Sequence, residues 1–222
     1  MNAVLAGSAP DAAVAVQMNG ATYMADLTGG QKTGIFYDQR PNHAFAASMA
    51  RGGARVLDVF SHVGGFGLAS IAAGASSALC VDGSAPALAL AEQGAAAMGV
   101  EDKLTTRQGD AFDVLTALRS EGAEFDVVVC DLDIANAKAS ALRAYERIAR
   151  LASPLVAEGG ILGLCSCSHA ADLTAFRTAS VRGIGRAGRR PSLIHTGFAG
   201  ADHPQLPQLA ETGYLKSLFF HL

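Results

Sequence analysis

The chain has 222 residues, of which 50% are hydrophobic and 17% are charged, and its formal net charge at pH 7 is −3. This length and composition suit one domain with a large buried core that needs no disulfide bonds. The small negative charge argues against a stand-alone nucleic-acid-binding protein, although it leaves room for an enzyme with a local basic patch. The arginine-rich stretch 177–190 is a candidate patch, and a solvated helix face is its simpler interpretation.

The N-terminal sequence and the cysteines indicate a cytoplasmic protein. The first residues lack the basic segment of a secretory signal and include Asp11. No apolar run approaches the ~20 residues needed to span a bilayer. The four cysteines lie in apolar, strand-like runs without the pattern of a disulfide scaffold, which fits a reducing compartment. We expect no membrane partner, and the sequence allows a homodimer without deciding the oligomeric state.

Residues 1–40 are predicted to form an N-terminal tail, a β-hairpin and a glycine-rich loop. Two β-prone runs flank Asn19-Gly20, a typical two-residue hairpin turn. The loop covers residues 28–34, and Pro41 then begins a helix that extends to about Met49. Residues 41–222 are predicted to form the main domain.

Within the main domain, short apolar runs alternate with helical segments. The predicted strands are residues 56–60, 77–82, 104–108, 125–131, 161–165, 192–198 and 214–220. The predicted helices are residues 68–73, 85–98, 111–118, 141–155 and 170–186. Because repeated strand–helix units build parallel sheets with helices on both faces, we predict a Rossmann-like α/β fold. Ligands bind such sheets beyond the carboxyl ends of the strands, so the site residues are sought there.

The segment from Arg55 to Asp82 predicts a nucleoside-cofactor site. Glycines after the first strand allow a tight turn and a close approach to a ligand, because they carry no Cβ. The helix that follows directs unpaired N–H groups towards the turn. Asp82 ends the second strand, where an acidic residue can accept both hydroxyls of a ribose. An acid after the third strand can accept a hydrogen bond from an adenine amino group. The cofactor-binding candidates are Asp58, Phe60, Gly64, Gly65, Gly67, Asp82, Gly109 and Asp110.

Four motifs point to a known family. They are the stretch 26–40 with Gln31-Lys-Thr-Gly, the stretch 56–67 ending in Gly-Gly-Phe-Gly, Ser166-Cys-Ser168, and the stretch 202–216 with Asp-His-Pro and Tyr-Leu-Lys. Together they resemble the class I methyltransferases that make 5-methylcytosine in 23S ribosomal RNA, over residues 18 to the end.

The resemblance implies S-adenosylmethionine as cofactor, ribosomal RNA as substrate, and a seven-stranded, mostly parallel sheet whose last strand pair is antiparallel. It also implies that Lys32, Asp38 and Arg40 line the methyl-donor and substrate side of the site, and solvated loop charges are the alternative interpretation. Family members usually carry an RNA-binding PUA module before the hairpin, for which this sequence has no room.

Cytosine chemistry gives a separate argument for a cysteine. C5 of cytosine is a poor nucleophile until a thiolate adds to C6, and an acid near N3 accommodates the charge that develops. Cys167 fits the family's Ser-Cys-Ser position, and Asp131 fits the acid. Cys165 is the alternative nucleophile, and a small buried residue is the simpler interpretation of each cysteine. Zinc binding by Cys165, Cys167 and His169 is not expected, because no second ligand pair has suitable spacing.

The sequence departs from the family after the fourth strand. The family has Asp-Pro-Pro and an aromatic residue there, whereas this chain reads Asp131-Leu-Asp-Ile-Ala135. Prolines at that place fix the backbone that presents carbonyl groups to a target base.

The leading hypothesis is an S-adenosylmethionine-dependent enzyme that methylates C5 of a cytosine in large-subunit ribosomal RNA.

Three alternatives stay open. One is a methyltransferase for another RNA base or a small molecule, with Cys167 structural. Another is a catalytically silent domain that binds cofactor or RNA. A nicotinamide dehydrogenase is the third, although it leaves the Gln-Lys-Thr-Gly loop and Cys167 unexplained.

Overall fold

The computed structural model describes residues 6–29, 34–132, 138–169 and 171–222. It begins with the predicted hairpin, in which β1 (Val14–Met18) pairs antiparallel with β2 (Ala21–Ala25). Asn19 and Gly20 form the turn with φ angles of 55° and 77°. Positive φ at both positions is what a two-residue hairpin turn of this kind requires.

The main sheet of the described residues has seven strands. They are β3 (Arg55–Val59), β4 (Ser77–Asp82), β5 (Leu104–Gln108), β6 (Phe125–Asp131), β7 (Val156–Ser166), β8 (Ser192–Gly197) and β9 (Lys216–His221). Their order is β5-β4-β3-β6-β7-β9-β8, and β3 to β7 run parallel. β9 lies antiparallel to both of its neighbours. The predicted Rossmann-like α/β fold with an antiparallel end is confirmed.

Six α-helices of the described residues cover the sheet. They are α1 (Arg40–Met49), α2 (Gly65–Ala72), α3 (Ala85–Met98), α4 (Ala111–Ser120), α5 (Lys138–Ala152) and α6 (Leu173–Arg186). The hairpin and α1 to α3 share one hydrophobic core with one face of the sheet, and α4 to α6 share a second core with the other. None of the helices in these ranges is long and apolar enough to cross a membrane.

Several element boundaries differ from the predicted ones. The helix predicted from residue 170 begins at Leu173, because the Asp172 side chain caps it by accepting the Ala175 N–H at 2.8 Å. β7 begins at Val156, five residues before the predicted start at residue 161. The extension begins where Val156 pairs with Phe125 of β6. Farther along it, Gly159 N–H donates to the Leu222 carbonyl and Leu222 N–H donates to the Gly160 carbonyl.

A buried carboxyl joins the central strand to the glycine turn. Asp58 in β3 is fully buried, and its Oδ2 accepts the N–H groups of Phe66 at 3.1 Å and Gly67 at 2.9 Å. These groups belong to the first turn of α2, where N–H groups lack helical partners and favour a negative charge. The helix therefore begins at Gly65, three residues earlier than predicted. Burial raises the pKa of Asp58 to about 7, and the charges of Asp131 and Asp82 act in the same direction.

Two neighbouring glycines of α6 test how closely α5 and α6 pack. A Cβ on Gly183 would press on the Glu146 carbonyl oxygen and lie 2.7 Å from the Ala149 Cβ, whereas a Cβ on Gly185 would meet nothing within 4 Å. We expect Gly183→Ala to lower the free energy of unfolding by about 1–3 kcal/mol, because backbone must move. Gly185→Ala should raise it by up to ~1 kcal/mol, because alanine favours helices. Urea unfolding measures both, and equal effects would contradict the close approach of the helices.

The pH dependence of stability tests the burial of Asp58. Its folded-state pKa of about 7 exceeds the ordinary value of 3.8, so between these pH values the native state keeps a proton that the unfolded chain loses. The stabilising contribution is therefore complete below the ordinary pKa and is lost as the pH rises to about 7, by up to ~1.4 kcal/mol per pH unit. We expect Asp58→Asn to remove this slope in urea unfolding, and Asp113→Asn, an exposed control, to keep it. If the free energy of unfolding depends on pH in the same way for wild type and Asp58→Asn, Asp58 is not protonated in the native state.

Candidate active site

A cleft with a volume of about 200 Å³ opens beyond the carboxyl ends of the central strands. The segment before α1 and the start of α1 close it on the other side, through residues such as Ile35, Phe36 and His43. Among the predicted site residues, those in the cleft wall are Asp38, Phe60, Gly65, Asp82, Asp131 and Cys167. Both catalytic candidates thus face the same space as part of the glycine turn.

The turn after β3 holds an unusual backbone conformation. Phe60 and His62 have φ angles of 61° and 49°, in the left-handed region that side chains disfavour. Hydrogen bonds hold the turn, since Ser61 N–H donates to the Val81 carbonyl at 3.1 Å and His62 N–H donates to Asp82 at 2.9 Å. Backbone strain of this kind concentrates at functional sites, where the surrounding structure supports it.

Asp82 is held in the cleft wall by backbone donors. Its Oδ2 accepts the His62 N–H at 2.9 Å, and its Oδ1 accepts the Ser84 N–H at 2.8 Å. A carboxylate oxygen has a second lone pair, so both oxygens keep acceptor capacity towards the cleft. This position suits the predicted contact with ribose hydroxyls, which stays a prediction.

The glycine turn also needs space that only glycine leaves. A Cβ on Gly65 would lie 2.7 Å from the His43 Nε2, and a Cβ on Gly67 would lie 2.7 Å from the Cys80 Sγ. Gly64 has a φ of 81°. Gly64, Gly67 and Asp58 lie outside the cleft wall, so they shape the turn, and direct contact with a cofactor stays a prediction for each.

The remaining cofactor candidates lie farther from the cleft. Asp110 caps α4, because its Oδ1 accepts the Phe112 N–H at 2.9 Å and the Asp113 N–H at 3.2 Å. Gly109 N–H donates to the Asp82 carbonyl at 3.1 Å, which joins the two loops. Arg40 forms an ion pair with Asp202 at 3.2 Å and does not line the cleft. Lys32 lies outside the described residues.

Asp131 is oriented by a residue that the sequence did not single out. Gln39 Nε2 donates to Asp131 Oδ2 at 2.9 Å, and Gln39 Oε1 accepts the Asn42 side-chain N–H at 2.7 Å. Both Gln39 and Asn42 are buried. Since the two partners of this contact are 92 positions apart in the chain, no local pattern signals it. The segment 133–137, where the sequence departs from the family, lies outside the described residues.

Cys167 and Cys165 differ in their access to the cleft. Cys167 directly follows the end of β7, is half-buried and lines the cleft. Cys165 lies within β7 and is 1% exposed. Burial raises the pKa of the Cys165 thiol well above its usual range, and the Asp131 charge adds to this. A thiol in that environment is a poor source of thiolate.

Tyr145 contacts the two strand ends that carry the catalytic candidates. Its hydroxyl is hydrogen-bonded to the Ser166 hydroxyl at 2.7 Å and lies 3.5 Å from the Leu132 carbonyl oxygen. Leu132 follows Asp131 and Ser166 precedes Cys167. The Tyr145 side chain is fully buried, so it has little freedom to move. Its position in an amphipathic helix predicts a core residue, and only the tertiary structure reveals this second role.

Lys216 places a positive charge beside Cys167. Its Nζ donates to the Ser168 carbonyl at 2.8 Å and to the Ala171 carbonyl at 2.7 Å. Desolvation lowers the pKa of Lys216, whereas the charges of Cys167 and Asp172 oppose that shift. A nearby cation favours the thiolate form of a cysteine. Lys216 therefore holds the loop after β7 through two hydrogen bonds and supplies the cation that would favour a Cys167 thiolate.

His43 is a further cleft residue that the sequence did not indicate. It is buried against Phe66, with ring centroids 4.4 Å apart in an edge arrangement. Burial lowers the pKa of His43 to about 3, so the ring is neutral at physiological pH. Within the described ranges, no cluster of three His, Cys, Asp or Glu side chains could hold a metal ion.

Known proteins similar to this chain are methyltransferases. The model of a family described as S-adenosylmethionine-dependent methyltransferases matches residues 3–221. Ribosomal RNA large subunit methyltransferase I of Aeromonas salmonicida is 35% identical over 220 residues, which are 97% of this chain and 55% of that protein. The ribosomal RNA large subunit methyltransferase of Deinococcus radiodurans is 34% identical and covers 99% of this chain and 54% of its own length. The chain thus spans about half the length of these relatives.

Solved structures show the same fold. SMU.776, whose crystal structure contains SAH, superposes with a TM-score of 0.87 over 98% of this chain and 58% of its own, at 22% identity. The Agrobacterium tumefaciens SAM-dependent methyltransferase gives a TM-score of 0.76 over 96% of this chain and 71% of its own, at 16% identity. The family match confirms the predicted cofactor and sets the nicotinamide alternative aside. With a cleft that joins the glycine turn to Asp82 and a family match over nearly its whole length, the chain belongs to the S-adenosylmethionine-dependent methyltransferases.

Proposed function

We propose that this methyltransferase acts on C5 of a cytosine in large-subunit ribosomal RNA. The observation that carries the proposal is that Cys167 and Asp131 line the same cleft as Gly65 and Asp82. A nucleophile and an acid therefore face the space that the methyl donor is expected to share. The names of the relatives support ribosomal RNA as the substrate class.

The cleft residues fit S-adenosylmethionine, which supplies an electrophilic methyl group when bound. Asp82 offers carboxylate lone pairs for ribose hydroxyls, and the absence of a Cβ at Gly65 lets a ligand approach the backbone. Phe36 and Phe60 provide apolar walls in the same cleft. Asp82, Gly65 and Phe60 are the residues that we expect to hold the cofactor.

Cys167 is proposed as the nucleophile on the target base. Its thiolate forms a bond with C6 of cytosine, and the electron pair of the C5–C6 double bond moves to C5, which becomes nucleophilic. After methylation, C5 loses its proton to a base, the bond from sulfur to C6 breaks, and the double bond returns. Lys216 favours the thiolate at the start, and it favours the departing thiolate again at the end.

Asp131 is proposed to face N3 of the base while charge develops on the ring. This role requires a carboxyl with a fixed orientation, because a misplaced group stabilises the transition state poorly. Gln39 provides that orientation through its bond to Oδ2, and Asn42 orients the Gln39 amide in turn. Gln39 is thus a positioning residue for Asp131.

The two cysteines offer a matched test of the nucleophile. We expect Cys167→Ala to lower the rate of methyl transfer to 23S ribosomal RNA by more than about 1,000-fold, because the enamine cannot form. Cys165→Ala, two positions away and buried, should stay within a few-fold of wild type. The measurement is transfer of labelled methyl from S-adenosylmethionine, with the modified base mapped by mass spectrometry. Full activity of Cys167→Ala, or label on another base, would contradict the proposal and favour the alternative in which Cys167 is structural.

Gln39 can be tested by separating catalysis from binding. We expect Gln39→Ala to lower kcat by about 10–100-fold, because Asp131 loses its orientation, with a much smaller change in KM for RNA. Affinity for S-adenosylhomocysteine, measured by calorimetry, should stay close to that of wild type. Gln93→Ala changes an exposed glutamine of α3 and serves as the control. A rise in KM with an unchanged kcat would argue against a positioning role.

A further inference from the structure

A groove beside α5 is lined largely by arginines. Its residues are Arg143, Glu146, Arg147, Arg150 and Arg186, and it is called here the arginine groove. Arg143, Arg147 and Arg150 follow one another at helical spacings of four and three, so they project from one side of α5. All three are exposed. Arg186 comes from the last turn of α6 and forms an ion pair with Glu146.

The charge of the chain is distributed very unevenly around this groove. α5 and α6 together hold seven of the 17 Lys and Arg residues and one of the 20 Asp and Glu residues. The two helices therefore carry a net charge of +6, and the rest of the chain carries −9. Glu146 compensates one positive charge of the groove, and the remaining like charges at helical spacing repel one another until an anion binds. An even scatter of solvated charges would not produce this separation.

The structure divides the arginine-rich stretch of the sequence into two kinds of residue. Arg189 turns inward, where its guanidinium donates to the carbonyl groups of Ser153, Val156 and Ala157 at 3.3, 2.7 and 3.2 Å. It supports the connection between α5 and β7 and is not part of a binding surface. Arg186 faces the groove instead, together with arginines of α5 that lie outside the stretch.

Side-chain contacts link the arginine groove to the active-site cleft. The Arg147 guanidinium lies 4.4 Å from the centroid of the Phe112 ring. The Phe112 ring in turn meets the edge of Phe60 at a centroid distance of 6.5 Å, and Phe60 lines the cleft. A chain of three contacting side chains therefore leads from the groove to the space where the target base is expected.

We propose that the arginine groove binds the phosphate backbone of the RNA whose base enters the cleft. The inference rests on the proposed RNA substrate. Guanidinium groups match phosphate oxygens through paired N–H donors, and a row of them tracks a backbone without reading bases. A membrane surface is the less suited partner, because Val181 is the single large hydrophobic side chain that the described residues of α5 and α6 expose.

The test compares two variants that each remove three positive charges. R143Q/R147Q/R150Q changes the groove, and R51Q/K103Q/R119Q changes basic residues on other parts of the surface. Binding of each protein to 23S ribosomal RNA transcribed in vitro is measured by filter retention over a series of KCl concentrations, with S-adenosylhomocysteine present. Thermal unfolding checks that both variants fold.

We expect the groove variant to bind RNA at least about 10-fold more weakly near physiological salt. The slope of log affinity against log salt should decrease in magnitude by about 2, because each lost phosphate contact removes roughly 0.7–0.9 from it. The control variant should change both quantities much less. If both variants bind RNA equally weakly, the loss of net charge alone explains the effect and the proposal is overturned. If the groove variant loses binding to phosphatidylglycerol vesicles but keeps its binding to RNA, the proposal is overturned and a membrane becomes the partner of the groove.

The same experiment separates this proposal from the proposed function. If wild-type protein fails to bind the ribosomal RNA at any salt concentration, the RNA substrate itself is wrong. If wild type binds and the groove variant binds equally well with an unchanged salt slope, the groove is wrong and the substrate proposal stands. Neither result depends on methyl transfer, so an inactive Cys167 would not affect the outcome.

Discussion

The hydrogen bonds from Phe66 and Gly67 to the buried Asp58 carboxyl are the interaction on which the site depends. β3 lies at the point where the order of the parallel strands reverses, and Asp58 lies within it. By holding the first turn of α2 against this strand, the carboxyl sets where the glycine turn runs and brings Gly65 into the cleft wall. Burial of the Asp58 carboxyl is unfavourable when this group is ionised. The interaction that holds the turn therefore lowers the stability of the folded protein once Asp58 loses its proton.

The two halves of the site differ in how well the sequence predicts them. The cofactor half is built from consecutive segments, and strand, glycine turn, helix and acidic strand end follow from local patterns between Arg55 and Asp82. The fold class and nearly all elements of the described residues follow in the same way, because hydrophobic runs and glycine positions are local signals. Boundaries were less predictable at residue 65 and at Val156, where distant partners decide the first turn of α2 and the start of β7.

The half that holds the proposed catalytic residues depends on contacts between distant parts of the chain. Gln39 meets Asp131, Tyr145 meets Ser166, and Lys216 meets the loop after Cys167. None of these contacts has a local pattern, because each joins residues that are ordinary for their own segments. The resemblance to a family predicts Cys167 and Asp131 as site residues, and the structure adds the residues that contact and orient them. Arg40 begins α1, forms an ion pair with Asp202 and lies outside the cleft wall, so its expected place beside the methyl donor stays a prediction.

The most direct test of the account is a covalent complex between Cys167 and a target cytosine. Ribosomal RNA that contains 5-fluorocytidine cannot lose a proton from C5, so the sulfur–C6 bond should persist after methylation. We expect wild-type protein with S-adenosylmethionine to form an adduct with this RNA that survives denaturing electrophoresis, and Cys167→Ala to form none. Methylation of the unmodified RNA without any trapped adduct, or an adduct that persists in Cys167→Ala, would contradict the proposed role of Cys167.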